Sequence, residues 1–147
     1  MSLPAALTLD PNCLIYRLDD PDGARGRWLD EHVFGPAVQG RVQLTLSTVA
    51  LAELLVRPYA DGQPLRAKAV RRALETLPGL SIVELSPALA DDAARLHAVT
   101  GLALPDAIML ATAAQAHSGL LTNDRRLDHP ASPVAVLVLD EEMAQAD

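Results

Sequence analysis

Five short apolar runs divide this chain, and the segments between them carry apolar side chains at helical spacing. The runs each have the length of one β-strand and cover residues 6–9, 42–46, 81–85, 120–122 and 134–139. The intervening segments predict helices that begin near Cys13 and then run over about 25–34, 48–57, 65–77, 87–101 and 104–117. Asn12 is the expected N-cap of the first helix, and Gly35-Pro36 is expected to end the second.

One or two helices separate most strands from the next, which favours parallel pairing because a parallel connection needs a crossover. The strands are almost purely apolar, as expected when helices cover both faces of a sheet. Half of the chain is hydrophobic but only four residues are Phe, Trp or Tyr, so aliphatic side chains must build the core. The prediction is an α/β fold with one domain over residues 1–147, a three-layer α/β/α sandwich around roughly five parallel strands.

The charge and cysteine content bear on ligands and location. A net charge of -7 argues against nucleic acid as a ligand, although metal ions bound by several carboxylates would offset it. Basic residues group at 66–72 and at Arg125-Arg126, and both groups fit either phosphate contacts or a solvated helix face. A lone Cys13, an N-terminus without positive charge and the absence of a long apolar run predict a cytoplasmic protein.

Four acidic residues fall where the predicted topology brings strand ends together. Asp10 follows the first strand and Asp124 the fourth, while Glu53 and Asp106 lie in helices after the second strand and before the fourth. Ligands of parallel α/β sheets bind beyond the carboxyl ends of the strands. Carboxylates gathered there repel one another, and a hard divalent cation relieves that repulsion. The pattern therefore predicts metal-assisted chemistry. The sequence has neither a Cys/His spacing for zinc nor a glycine-rich phosphate loop, so these other kinds of site are not indicated.

Each of these acids also has a structural explanation. Asp10 can end a strand, Asp106 can complement a helix dipole, and Asp124 can cap the turn at 124–128. Glu53 is the most informative of the four about a functional role. Apolar residues surround it over 49–56, so an ordinary solvated position would need a narrow polar stripe on an otherwise apolar helix. The convergence of all four at one sheet edge, rather than any single acid, favours a functional site.

Each acid stands in a recurring local pattern. The segments are 10–16 (DPNCLIY), 47–55 (STVALAELL), 104–113 (LPDAIMLATA) and 121–127 (LTNDRRL). In order and spacing, over residues 6–139, they resemble the four motifs of PIN domains. The resemblance implies an endoribonuclease dependent on Mg²⁺ or Mn²⁺, most similar to the VapC toxins of toxin–antitoxin pairs. It also implies a cognate antitoxin partner and a homodimer. Arg125 and Arg126 are candidates for RNA contacts, because they directly follow Asp124 at the predicted active edge.

The resemblance also implies roles for individual residues. It assigns metal binding and catalysis to four acids, Asp10, Glu53, Asp106 and Asp124. Asn12 and Thr122 correspond to polar supports of that site. Pro11 departs from the family, which usually has Thr or Ser there, so a supporting hydroxyl is missing. Asp128 follows Asp124 by one helical turn and is a candidate to share or replace its role.

Two other acid-pocket enzymes fit the sequence poorly. A haloacid-dehalogenase-type phosphatase needs a second Asp where this chain has Asn12, and a late Lys, whereas the only Lys is Lys68. A response-regulator receiver domain needs the same Lys. A PIN-like module that binds RNA or protein without nuclease activity stays open as the alternative.

Overall fold

Five strands lie close to their predicted positions in the computed structural model, which describes residues 3–146. They are β1 (Ala6–Leu9), β2 (Gln43–Ser47), β3 (Leu80–Val83), β4 (Gly119–Thr122) and β5 (Val136–Val138). They form one sheet in the order β3-β2-β1-β4-β5, and all four pairings are parallel. The prediction of an α/β fold around a five-stranded parallel sheet is confirmed.

Helices connect the strands. They are α1 (Pro11–Asp19), α2 (Ala24–Leu29), α3 (Gly35–Val38), α4 (Thr48–Ala60), α5 (Pro64–Thr76), α6 (Pro87–Thr100), α7 (Leu104–Gln115) and α8 (Leu139–Ala146). A π-helix (Asp30–Phe34) joins α2 to α3, and a 3-10 helix (Arg125–Leu127) lies between β4 and β5. Within residues 3–146, none of these helices has the length and apolar character needed to cross a membrane.

Core side chains alternate between the two faces of the sheet. Leu120 of β4 packs with Leu110 of α7, while its neighbour Leu121 packs in a second cluster with Leu7 and Leu9 of β1. This alternation follows from the two-residue repeat of a strand. Because helices cover both faces, the apolar strands are buried on each side, as in the predicted three-layer sandwich.

The first helix begins earlier than predicted, and its N-cap is Asp10 rather than Asn12. The Asp10 carboxylate accepts a hydrogen bond from the backbone N–H of Asn12 at 3.1 Å. Pro11 occupies the first helical position, where its missing N–H is not needed. The predicted N-cap was wrong because strand β1 passes into α1 with no connecting loop, so the last residue before Pro11 takes the capping position.

The prediction that Gly35-Pro36 ends a helix was also wrong. The chain passes through the π-helix, in which the Gly35 N–H bonds to the carbonyl of Asp30, and continues helically to Val38. Pro36 then falls in the first turn of α3, where a proline does not break a helix.

The C-terminal helix was not predicted. The last apolar run was expected to be a strand to residue 139, but β5 ends at Val138 and α8 starts directly at Leu139. Three acidic residues in the first turn of α8 (Asp140, Glu141 and Glu142) complement the helix dipole. Leu139 is fully buried in the core, which fixes the start of α8 against the sheet.

Candidate active site

Asp10 is the most buried acid of the predicted set, with 5% of its surface exposed. One carboxylate oxygen accepts the N–H of Asn12, and the other accepts the hydroxyl of Thr122 at 2.7 Å. Burial raises the pKa of Asp10, these two hydrogen bonds oppose the rise, and the charge of Asp124 adds to it. The carboxylate is therefore held in one orientation at the carboxyl end of β1 by partners that favour its ionised form.

Thr122 joins the two strand ends that carry Asp10 and Asp124. Its side chain is fully buried at the end of β4. Its oxygen donates to Asp10 and accepts the backbone N–H of Asp124 at 3.0 Å. Pro11 leaves the site without the supporting hydroxyl that the family usually has there. In this chain the Thr122 hydroxyl, from the neighbouring strand, supports Asp10.

Glu53 lies on α4 and Asp106 lies on α7, and burial together with the charges of the other acids raises the pKa of both. Burial, followed by the charges of Asp10 and Asp106, raises the pKa of Glu53. Burial, followed by the charges of Asp10 and Asp124, raises the pKa of Asp106. Neither carboxylate accepts a hydrogen bond from the part of the chain that the structure describes. Both side chains are therefore free to turn toward a cation.

Asp124 differs from the other three acids because an arginine neutralises it. Arg126 donates two hydrogen bonds to the Asp124 carboxylate, at 3.0 and 2.6 Å, and its backbone N–H donates a third. The Arg126 side chain is the main reason that the pKa of Asp124 lies below its usual value. Asp124 also caps the 3-10 helix, as the structural explanation of the sequence anticipated.

The remaining predicted residues lie around this cluster. Arg125 forms an ion pair with Glu141 of α8 at 3.1 Å. Asn12 is exposed on the first turn of α1, where only its backbone contacts Asp10. Asp128 is exposed at the end of the 3-10 helix, and its charge is not among the causes that shift the pKa of the four acids.

The donor set suits a hard divalent cation, since it consists of carboxylate oxygens that repel one another. Within residues 3–146, however, no three His, Cys, Asp or Glu side chains are placed to hold a metal ion together. Asp124 is engaged by Arg126, and both oxygens of Asp10 already accept hydrogen bonds. Coordination by all four acids requires Arg126 to release Asp124 and the side chains of Glu53 and Asp106 to turn toward Asp10.

Sequence reasoning did not anticipate the ion pair between Arg126 and Asp124. The sequence predicted that Arg126 either contacts phosphate or lies on a solvated helix face, and neither prediction includes a pair with the acid two residues before it. The double role of Asp10, as N-cap and as site acid, was also missed. A Pro directly after an Asp is the sequence signal that would have indicated it.

Comparisons with known proteins bear on the family and the fold of this chain. The family model described as "PIN domain" matches residues 7–133. No curated protein matches the chain. A toxin-antitoxin complex from Klebsiella pneumoniae is similar with a TM-score of 0.66 at 23% identity, over 90% of this chain and 97% of that one.

Two further solved structures share the fold. DNA-bound VapBC from Salmonella typhimurium has a TM-score of 0.68 at 17% identity, over 92% of this chain and 99% of that one. FitAcB from Neisseria gonorrhoeae has a TM-score of 0.65 at 22% identity, over 90% of this chain and 97% of that one. At these identities the likeness concerns the fold.

Proposed function

This chain belongs to the PIN domain family, and we propose that it is a metal-dependent endoribonuclease that cleaves RNA phosphodiester bonds as the toxin of a type II toxin–antitoxin pair. The observation that carries the proposal is the mutual influence of the four acids at one sheet edge. Asp10 couples to Glu53, Asp106 and Asp124 through their charges, although the four are far apart in sequence. Such a cluster is unfavourable for stability unless a cation offsets it.

Mg²⁺ or Mn²⁺, when bound, would supply a Lewis acid that polarises a phosphodiester oxygen. The residues of this chain would provide its oxygen ligands, with Asp10 held in place and Glu53, Asp106 and Asp124 turning toward it. Thr122 keeps Asp10 oriented, because its hydroxyl donates to one carboxylate oxygen. The raised pKa values of Asp10, Glu53 and Asp106 make these three acids more readily protonated than Asp124, whose pKa is lowered, when no cation is present.

A protein partner follows from the same proposal, since an unrestrained ribonuclease in the cytoplasm would damage the host cell. A groove of about 360 Å³ runs between α1, α4 and α5 and includes Ile15, Leu54 and Val70. Glu53 also lines this groove, so that the acid cluster and the groove share one residue. We propose that an amphipathic segment of an antitoxin occupies it and directs a basic side chain to Glu53, in the helix-in-groove mode.

Co-expression tests the partner. The neighbouring small protein should relieve growth arrest and co-purify with this chain, and Glu53→Gln together with Ile15→Arg should prevent co-purification, because Ile15 is an exposed apolar residue of the groove. Persistent arrest with no complex would contradict the toxin assignment and favour another PIN subclass. We also propose a homodimer, which the mass of the purified protein in solution tests directly.

The alternative is a PIN-like module that binds RNA or protein without cleaving. One observation favours it, namely that the described side chains do not gather three acids around a common point. Cleavage of RNA in Mg²⁺ or Mn²⁺, abolished by EDTA, separates the two functions. Binding without cleavage under all metal conditions would support the module.

Conservative substitutions locate the activity at the acids. Asp10→Asn and Asp106→Asn keep the side-chain shape and remove charge, so each should lower the rate of cleavage by two orders of magnitude or more, about 3 kcal/mol in the barrier. Asp22→Asn is the matched control, because Asp22 is exposed in the turn beyond the far end of α1. Full activity in both site variants, under conditions where the wild type is sensitive to EDTA, would refute the assignment.

A further inference from the structure

The loop that carries Asp124 is attached to the first turn of α8. The side-chain oxygen of Asn123 accepts the backbone N–H of Asp140 at 3.1 Å. Arg125, on the other side of Asp124, pairs with Glu141 at 3.1 Å. The two residues that flank Asp124 are thus both bound to the same turn of the same helix.

Asp140 is in turn held by α2. Arg25 donates two hydrogen bonds to its carboxylate, at 2.9 and 2.8 Å, and this pair is the main cause of the lowered pKa of Asp140. The guanidinium of Arg25 lies 4.6 Å from the centre of the Tyr16 ring, within the range of a cation–π contact. The Asn123 amide donates to the hydroxyl of Tyr16 at 3.4 Å, a long hydrogen bond.

These contacts close a ring of four side chains, Asn123, Asp140, Arg25 and Tyr16. The ring draws on α1, α2, α8 and the loop after β4, and it joins the first two helices to segments about a hundred residues later in the sequence. Leu139 anchors it, because this residue is fully buried immediately before Asp140. The PIN domain match ends at residue 133, so α8 lies outside the matched part of the chain.

We propose that this ring is a positioning device that fixes the Asp124 loop from outside the acid cluster. None of its members contacts the four acids through a side chain, and the inference rests on the proposed function only where it concerns metal binding. Outer residues that orient metal ligands commonly change metal affinity when they are removed. Without the ring, the loop would keep the hydrogen bond from the Asp124 N–H to Thr122 but lose its attachment to α8 through Asn123.

Arg25→Ala tests whether the ring affects metal binding, because loss of the ring and loss of the arginine charge should change the metal affinity in opposite directions. Loss of a positive charge near an acidic cluster should tighten cation binding by Coulomb attraction, whereas loosening of the Asp124 loop should weaken it. We expect the Kd for Mn²⁺, measured by calorimetry on the full chain, to rise on the order of tenfold. Arg17→Ala is the matched control, since it removes one exposed arginine from a pair with Asp30. Where the wild type binds Mn²⁺, an Arg25→Ala protein that binds it as tightly as the control would overturn the inference.

Amide hydrogen exchange tests the ring without metal or RNA. The N–H groups of Asp124, Arg126 and Leu127 are all hydrogen-bonded within the loop, so their exchange reports its order. Asn123→Ala should speed their exchange severalfold with little change in the melting temperature. Asn123→Asp should restore protection in part, because it keeps the oxygen that accepts the Asp140 N–H.

The two readouts separate the inference from the proposed function. Unchanged exchange in Asn123→Ala refutes the ring, whatever the activity of the protein. Faster exchange in Asn123→Ala, with partial recovery in Asn123→Asp, supports the ring even if the wild type neither binds Mn²⁺ nor cleaves RNA. A wild type that neither binds Mn²⁺ nor cleaves RNA would refute the proposed function and leave the ring untouched.

Discussion

Replacing Thr122 with Val should destabilise the protein more than any other substitution of similar size at the site. The change keeps the shape of the side chain and removes a hydroxyl that makes two hydrogen bonds, to the Asp10 carboxylate and from the Asp124 N–H. Thr122 is fully buried and Asp10 is 5% exposed, so water cannot replace the missing donor to Asp10. A hydrogen bond to a charged group contributes about 1.5–3 kcal/mol and a neutral one about 0.5–1.5 kcal/mol. The sum predicts a destabilisation of about 2–4.5 kcal/mol.

Urea denaturation at pH 7 in EDTA measures this destabilisation, and two controls isolate the hydroxyl. Thr122→Ser keeps the hydroxyl and removes one methyl group, which should cost about 1 kcal/mol. Thr112→Val removes a buried hydroxyl that donates only to the carbonyl of Ile108, so it should cost less than Thr122→Val. A Thr122→Val protein within about 0.5 kcal/mol of wild type, a typical surface-mutation effect, would refute the argument that Asp10 depends on this donor.

The pH dependence gives a further check on the sign. Burial raises the pKa of Asp10 in the folded state, and the Thr122 hydroxyl limits that rise. Thr122→Val should therefore raise this pKa further. Because a group with a raised folded pKa binds its proton more readily when folded, both proteins should gain stability from Asp10 as the pH falls through that pKa toward the lower pKa of an unfolded Asp. The variant should gain it from a higher pH, and the difference in unfolding free energy should shrink as the pH falls.

Two other predictions concern the acids and their neighbouring arginines. Without metal, Asp106→Asn should melt at or above the wild-type temperature, because burial and the other acids disfavour its charged form. Millimolar Mg²⁺ should reverse that order, because an ion at a hundred times its Kd stabilises the folded state by about 2.7 kcal/mol and the variant has one carboxylate fewer to bind it. A wild type whose melting temperature does not respond to Mg²⁺ or Mn²⁺ would contradict this prediction. Replacing Arg125 and Arg126 together with Ala should weaken RNA binding and lower the slope of log K against log salt by up to about 1.4, which is about 0.7 for each arginine that neutralises a phosphate. An unchanged slope would mean that these side chains serve only their pairs with Glu141 and Asp124.

The sequence was most informative where burial determines structure. Strands covered on both faces are short apolar runs, and all five were predicted to within a few residues, including 120–122 for β4 (Gly119–Thr122). The parallel order then predicted that the acids gather at one edge, because each follows a strand or lies in a helix next to one. Asp10 and Asp124 are coupled for this reason, since β1 and β4 are neighbours in the sheet.

Of the features that the sequence did not reveal, some are local and others depend on contacts between distant side chains. The capping by Asp10 is local, and the Asp-Pro pair would have indicated it. The Arg25 pair with Asp140 spans 115 residues, and no pattern along the chain predicts it. α8 was missed because its first residue, Leu139, continues the apolar run of β5, so that the strand hides the start of the helix.

In this negatively charged chain, most of the arginines are paired with acidic side chains. Within residues 3–146, eight arginines form ion pairs with acidic side chains, which are Arg17, Arg25, Arg57, Arg66, Arg71, Arg95, Arg125 and Arg126. An RNA phosphate must therefore compete with a carboxylate for most of the positive charge on the surface. Exposed pairs of this kind are worth only about 0–1 kcal/mol, so the competition is possible at low energetic cost. Under the proposed function, a cation that releases Asp124 from Arg126 would both neutralise the acid cluster and free an arginine beside the substrate. Metal binding and RNA binding are then coupled through this one ion pair, which reconciles a net charge of -7 with a nucleic-acid substrate.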